Sequence, residues 1–385
     1  MKIVHLCLSS SFIDGYSYQE NILPKYHVKL GHDVTLIAST ESITSSGKTS
    51  FDAPVGIHFE NGYKVIRIAY KKGFMYKIWR RLRIYSDISR LLDEEKPDII
   101  FSHGVQFWDA FKVTDYVKKH FKVALFCDNH ADYINSSRNF ISKYILHKVI
   151  WRLTSQNLCK YSVKCYGVTP MRCDYLKDMY GLPDEKIEFL PMGIDDDAIP
   201  HDRIITRNVI RDSLGISNDD FVIITGGKID KLKNIHHLLS AFKMLKRQNL
   251  HLVVFGIVMF QMQSIIDEYK GNSHIHFVGW CDAKQVMDYM IASDLCCFPG
   301  THSTLWEQAI GIGLPTIFKN WGNGFSHLNV NGNCAFIEGE NEEEIARVIN
   351  MFLDKKFYKM KLYLSNEARK RFLYSEIAKK AICVN

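Results

Sequence analysis

Residues 221–245 read Phe-Val-Ile-Ile-Thr-Gly-Gly-Lys-Ile-Asp-Lys-Leu-Lys-Asn-Ile-His-His-Leu-Leu-Ser-Ala-Phe-Lys-Met-Leu. The apolar run Phe221 to Thr225 has the length and β-branched content of a buried parallel strand. From Asn234 onward Ile235, Leu238, Leu239, Phe242 and Leu245 recur at helical spacing. A glycine turn, Gly226-Gly227, is thus expected at a strand-to-helix crossover, the unit from which doubly wound α/β sheets are built. Missing side chains there let the backbone approach phosphate oxygens, and Lys228 and Lys233 supply charge that amides alone do not. The segment reads as a seat for a diphosphate. The plainer alternative is a Gly-rich turn beside a solvated, lysine-rich helix start.

The pattern repeats outward from this point. Toward the C-terminus, strands are expected at Leu250 to Phe255, His274 to Val278, Leu295 to Phe298 and Thr316 to Phe318, with helices over Ala283 to Ala292 and Trp306 to Ile312. Toward the N-terminus the same alternation covers Lys2 to Leu8, Asp33 to Ile37, Asp98 to Phe101, Val123 to Phe126 and Tyr161 to Gly167, with a helix near Tyr18 to Leu30 and a helix stop at Gly181 and Pro183. Two successive doubly wound sheets follow. Ligands in such sheets bind outside the carboxyl ends of the strands, so a pair of them is expected to enclose a cleft. A polar stretch running to Asn218 marks the boundary. Residues 1–200 are expected to form the first domain, 201–360 the second, and 361–385 a closing helix that crosses back to the first.

Composition narrows the class. A chain of 385 residues suits two cores better than one. With 46% hydrophobic and 24% charged residues it is neither disordered nor fibrous, and a net charge of +7 is too small to indicate nucleic acid without an accompanying motif. The ten cysteines contain no Cys-x-x-Cys pair; Cys7, Cys127, Cys159, Cys281 and the adjacent Cys296-Cys297 read as reduced, buried side chains rather than zinc ligands or disulfides, which suits the cytosol. Met1 to Leu8 is too short for the apolar region of a signal peptide, and Leu250 to Phe260 is too short to span a bilayer. No sequence pattern asks for a metal or a resident cofactor.

These motifs together resemble the GT-B glycosyltransferases of the retaining family 4 type, many of which build bacterial surface polysaccharides. The likeness is clearest from about Phe221 to Gly322. The family's Gly-Arg-Leu turn with a later lysine is similar to Gly227-Lys228-Ile229 and Lys233, with lysine in place of arginine, which keeps the charge and loses the bidentate fork. Val278-Gly279 resembles its strand-to-glycine element, and Ser293-Asp294-Leu295-Cys296-Cys297-Phe298-Pro299 its Ala-Asp-x-x-x-x-Pro element. Glu307-Gln308-Ala309-Ile310-Gly311-Ile312-Gly313-Leu314-Pro315 resembles its Glu-Ala-x-x-x-Gly-x-Pro helix. The chain departs from the family in the loop before Glu307, where position 299 is proline and the loop is shorter. Glu307 also stands one residue farther from Gly313 and Pro315, which leaves Gln308 as a competing match.

The resemblance implies two Rossmann-like domains and a nucleoside diphosphate-sugar donor of UDP or GDP type, bound through Gly226, Gly227, Lys228 and Lys233. In the loop, Ser303 or Thr304 is expected to cap the helix beginning near Trp306, so that its amides face a phosphate, with Glu307 placed to accept from ribose hydroxyls and His302 beside it. In the first domain, His130 matches by context a family histidine that contacts the donor sugar, and His103, which likewise follows a strand, is expected on the acceptor side. Gly15, Tyr16 and Tyr18 fall in the loop that meets acceptor in the resembling fold. The segment 71–83 interleaves Lys71, Lys72, Lys77, Arg80, Arg81 and Arg83 with Phe74, Met75, Tyr76, Ile78, Trp79 and Leu82, which suits the anionic inner face of a membrane and a lipid-linked glycan acceptor. Two other readings stay open: a GT-B sugar-nucleotide 2-epimerase, and a non-catalytic nucleotide-sugar-binding partner of a polysaccharide assembly complex.

Overall fold

A computed structural model describes residues 1–43, 49–136 and 139–383 of the chain. Its first unit takes in Met1–Pro191 and the final Ile377–Asn385, and its second takes in Met192–Glu376.

In the first unit eight strands form one sheet, in the order Ile187–Phe189, Lys164–Gly167, Ala124–Asn129, Ile99–Ser102, Lys2–Cys7, Asp33–Ser39, Tyr63–Ile68 and Gly56–Glu60. All neighbours are parallel except the last pair. That pair is a hairpin closed by Asn61-Gly62, both at positive φ (47° and 88°), the left-handed geometry a two-residue turn demands. The central strands bury both faces, with Val4, Leu6, Ile37, Ile100 and Leu125 against Ile88, Leu92, Val113 and Leu158 from covering helices. Strand order reverses at Lys2–Cys7, so the carboxyl ends of Lys2–Cys7 and Ile99–Ser102 open a crevice between them.

The second unit has a wholly parallel six-stranded sheet in the order Ile275–Gly279, Leu250–Val258, Phe221–Ile229, Leu295–Phe298, Thr316–Lys319 and Cys334–Ile337. This is the Rossmann order, with its switch point between Phe221–Ile229 and Leu295–Phe298. Ile223, Leu252, Val254 and Ile317 pack against Leu238, Leu239 and Phe242 of the helix Ile235–Leu245 and against Ile349 and Phe352 of Glu342–Phe352. Asp294, just before the fourth of these strands, accepts from Arg211 Nη2 (2.7 Å), Arg207 Nη2 (2.7 Å) and Val222 N (2.8 Å), which ties the helix Arg203–Leu214 to the sheet.

Three expectations are corrected. The first glycines are not a turn: the strand runs on to Ile229, and Gly226-Gly227 lie inside it beside Phe255-Gly256. The boundary falls at residue 191 rather than 200, because Ile194 N donates to Phe372 O (2.8 Å) and Tyr374 N to Ile194 O (3.1 Å), joining Met192 onward to the second unit. The closing helix is broken. Lys355–Ala368 stays on the second unit, where Lys361 Nζ donates to the carbonyls of Gly332 (2.6 Å) and Cys334 (2.9 Å), and only Ile377 onward belongs to the first. All ten cysteines are free thiols. Among the described residues, no helix is long and apolar enough to cross a membrane.

Candidate active site

At the switch point of the second unit, backbone meets backbone with nothing between. A Cβ on Gly256 would lie 1.8 Å from Gly227 O, one on Gly226 would lie 2.5 Å from Phe255 O, and one on Gly300 would lie 2.3 Å from Leu232 O. Only glycine fits these three positions. Beyond Ile229, Asp230 accepts from the amides of Leu232 (3.0 Å) and Lys233 (3.2 Å), forming a tight turn into Asn234, which starts the helix at positive φ. That turn then grips the loop after Leu295–Phe298. Thr301 N donates to Leu232 O (2.9 Å), Asn234 Nδ2 to Pro299 O (3.2 Å), and Lys233 Nζ to the carbonyls of Thr301 (2.6 Å) and His302 (3.2 Å). Trp321 Nε1 holds Gly300 O from the other side at 3.2 Å.

Burial pushes the Lys233 ammonium down to about 8, Asp230 opposing only in part. Lys228 sits at the exposed end of its strand, a solvated cation at the same edge. The two lysines are thus unlike: one is half-buried and stitches a loop, the other is free to move.

Glu307 is wholly buried, which corrects the expectation that it faces a ribose. Its two oxygens lie 2.8 and 3.0 Å from His302 Nε2, and Oε1 lies 3.1 Å from His327 Nε2. Burial alone would raise its pKa, but the two imidazoles outweigh it and hold the carboxyl at about 2. His302 stacks on Phe325 (4.5 Å between centroids) and meets Trp306 edge-on, so ring and carboxylate fix each other. Neither Ser303 nor Thr304 caps the helix Leu305–Ile312: Thr304 has helical φ and ψ and makes no side-chain cap bond. Of its first amides, that of Trp306 donates to Ser303 O at 3.0 Å. Gln308 is buried.

In the first unit the switch-point crevice is a cavity of about 590 Å³, whose walls include Ser9, His103, His130, Lys77, Arg80, Arg81 and Arg83. His103 is buried at its base. Its Nε2 lies 3.0 Å from His5 Nδ1 and its Nδ1 lies 3.2 Å from Asp128 Oδ2. Asp128 also accepts from Gly104 N (2.8 Å) and Gln19 Nε2 (3.1 Å), and its other oxygen faces His130 Nε2 at 3.5 Å. Burial works against the charge on His130, but Asp128 prevails and raises its pKa.

Gly15, Tyr16 and Tyr18 do not line this cavity. Gly15 is at positive φ and its amide donates to Glu60 Oε2 (3.2 Å), while the exposed Tyr16 and Tyr18 rings contact each other. Among the described residues, Asp14, His58 and Glu60 bring possible metal-ligating atoms within 4.8 Å. Their acids are already engaged, Asp14 by Arg67 (2.9 Å) and Glu60 by Asn21 (3.0 Å) and Tyr63 (3.0 Å), and the group fastens this loop to the edge hairpin. The structure therefore gathers Lys233, His302 and Glu307 in one unit and His103 and His130 in the other. Sequence reasoning missed Asp128, although it stands two residues before His130, and it missed His5 and His327, which meet their partners only across the fold.

Comparison with known proteins covers both units. Residues 23–198 match the family model described as Glycosyltransferase Family 4, and residues 206–371 the model described as Glycosyl transferases group 1. The chain is similar to mannosylfructose-phosphate synthase of Agrobacterium fabrum, 22% identical over 306 residues that are 75% of this chain and 63% of that one. It is also similar to alpha-monoglucosyldiacylglycerol synthase of Acholeplasma laidlawii, 24% identical over 202 residues, half of each chain. The matches thus span less than two thirds of the length of these relatives. Among solved structures, Anabaena HepE in complex with UDP and glucose superimposes with a TM-score of 0.64 at 15% identity, over 99% of this chain and 98% of that one.

Proposed function

We propose a reaction for a chain that belongs to the GT-B glycosyltransferases of the family 4 type: retaining transfer of a sugar from a nucleoside diphosphate-sugar to a glycan acceptor carried on lipid. The observation that carries the donor half is the stitched switch point, where Lys233 orders the Pro299–His302 loop and three obligatory glycines bare the backbone. Such a site suits a diphosphate, and UDP is bound by a structural neighbour. In this reading Lys228 swings onto the departing diphosphate, and Lys233 and the uncapped first turn of Leu305–Ile312 complete the positive field. Glu307 acts through His302, holding the loop rather than touching substrate. Charge on the leaving group is met by protein cations and amides, and the reading gives a metal or cofactor no role. His130 donates to a sugar hydroxyl.

A membrane-facing acceptor side is supported by the helix Tyr76–Leu82, which buries none of its residues, and by the exposed Phe74, Ile78, Phe140 and Ile145 among Lys72, Lys77, Arg81 and Lys143. These features suit work at an anionic membrane surface, and the setting in this reading is the inner leaflet in bacterial polysaccharide or glycoconjugate assembly. The test is transfer of label from a panel of UDP- and GDP-sugars into lipid-extractable material, with the product anomer read by NMR. Transfer with the donor's own anomeric configuration kept, and lost in a Lys233→Ala variant of unchanged fold, supports the reading. An inverted product refutes the retaining step, and undiminished transfer by the variant refutes the diphosphate assignment.

A further inference from the structure

The cavity of the first unit is charged in one sense. Lys77, Arg80, Arg81 and Arg83 line it, and among the described residues none of them makes an ion pair; the sole carboxylate on its wall, Glu41, accepts instead from the Tyr70 hydroxyl at 3.1 Å. Two of the arginines are held ready by their surroundings. Arg80 lies over the Phe51 ring at 4.1 Å, and Arg83 donates to Gln106 O (2.7 Å) above Trp151. Guanidinium groups ordered by stacking and left without carboxylates are suited to phosphate oxygens. We propose that this cavity seats the phosphate or diphosphate group of the acceptor. This deepens the transfer reading above and rests on it.

The test uses the full chain saturated with UDP, so that the donor site is filled, and titrates in a hexose phosphate and, separately, farnesyl diphosphate. Binding of either supports the proposal, and the one that binds tells a free sugar phosphate from a lipid headgroup. An Arg80→Gln/Arg81→Gln variant should bind UDP as before and the phosphate probe about tenfold more weakly or worse. UDP bound with neither probe taken up, or both probes bound equally by the variant, overturns the cavity assignment alone. A chain that does not bind UDP fails at the transfer reading instead.

A separate observation concerns protons. Four consecutive hydrogen bonds join two groups that can only accept: Ala378 O to His27 Nε2 (3.0 Å), His27 Nδ1 to His5 Nε2 (2.9 Å), His5 Nδ1 to His103 Nε2 (3.0 Å), and His103 Nδ1 to Asp128 Oδ2 (3.2 Å). All three rings are buried. Each gap needs one proton, and a neutral imidazole carries one, so three neutral rings leave one gap unfilled. We infer that the chain holds one extra proton within its three rings, and that the resulting positive charge keeps Asp128 ionised and aimed at His130.

Burial and the neighbouring rings hold His5 and His27 below the ordinary imidazole range, and His103 is the ring that meets the carboxylate. The other titratable groups facing the chain are His32 near His27, His130 and Cys7 near Asp128, and Glu20 and Arg172 around His130. These are positioning residues, and the readout is spectroscopic. Histidine-selective ¹⁵N spectra at about pH 8.5, well above the ordinary imidazole pKa of roughly 6.5, should show one ring of this chain with both nitrogens protonated. A His27→Phe variant removes one ring and two gaps, so two neutral rings fill what remains and neither His5 nor His103 should be doubly protonated there. A native chain with three neutral rings overturns the inference, as does an imidazolium that persists in the variant, which would credit Asp128 alone.

Discussion

Lys233 does two things with one ammonium, ordering the 299–302 loop and, in the proposed reaction, meeting diphosphate. Its pKa of about 8 makes the second conditional on pH. Charge is present below that value and lost above it, so UDP affinity should be flat up to neutrality and fall as pH rises through about 8, approaching a tenfold loss for each further pH step of one. A Lys233→Arg variant that binds should lack this fall, since guanidinium stays charged. Calorimetric titration across that range checks both. Glu307 carries a prediction of the opposite sense. Its folded pKa, about 2, lies below the unfolded value of roughly 4.3, so its contribution is fully present above that value and disappears as pH drops toward 2. A gap of that width between folded and unfolded carboxyl is worth about 3 kcal/mol. Urea unfolding should find Glu307→Gln less stable at neutral pH by roughly that amount, with the difference closing in acid. At this scale the nearness of Lys233, His302 and Glu307 was legible from their motif spacing, but the burial of Glu307 was not. Whether a carboxylate meets solvent or two imidazoles depends on His327, which reaches it from another loop.

Among the elements, the contact between the first two strands of the second sheet is where a single methyl group is most costly. Gly256 sits at φ 117°, with Gly227 O where its Cβ would be. Gly256→Ala should cost about 3 kcal/mol or more, while Gly271→Ala, with nothing near its Cβ, should fall within about 0.5 kcal/mol of the native chain. Chemical denaturation of the pair decides it, and equal losses would place the strain elsewhere. Strands and helices with strong periodicity were legible: Leu295–Phe298 and Ala283–Ala292 fall where the sequence puts them. The strand through Gly226-Gly227 was not, because glycine pairs usually break strands and this one continues only through a partner glycine opposite. The edge hairpin was missed although Asn61-Gly62 is a strong turn signal, since Gly56–Glu60 is half exposed and lacks an apolar run. The hydroxyl cap failed for a geometric reason, Thr304 already having entered the helix.

For the whole molecule, the alternation of strands and helices made two doubly wound units legible, whereas their boundaries depend on two pairings that no local pattern announces. One is Ile194 with Phe372 and Tyr374; the other is the return of Ala378 to His27. The exposed basic and apolar surface of the first unit predicts that vesicles containing anionic lipid will carry the chain upward in a flotation gradient at low salt and release it at about 0.5 M salt, where charge is screened within a few ångströms. Flotation with neutral lipid alone would point to apolar insertion without the cations. All of these consequences hang on a nucleoside diphosphate at the switch point of the second unit. The direct measurement is calorimetric titration of UDP and GDP into the native chain and a Lys233→Met variant at neutral pH. Saturable binding of one nucleotide, weakened about tenfold or more in the variant, is the predicted result. A native chain that binds neither, or a variant that binds as tightly as the native chain, would contradict it.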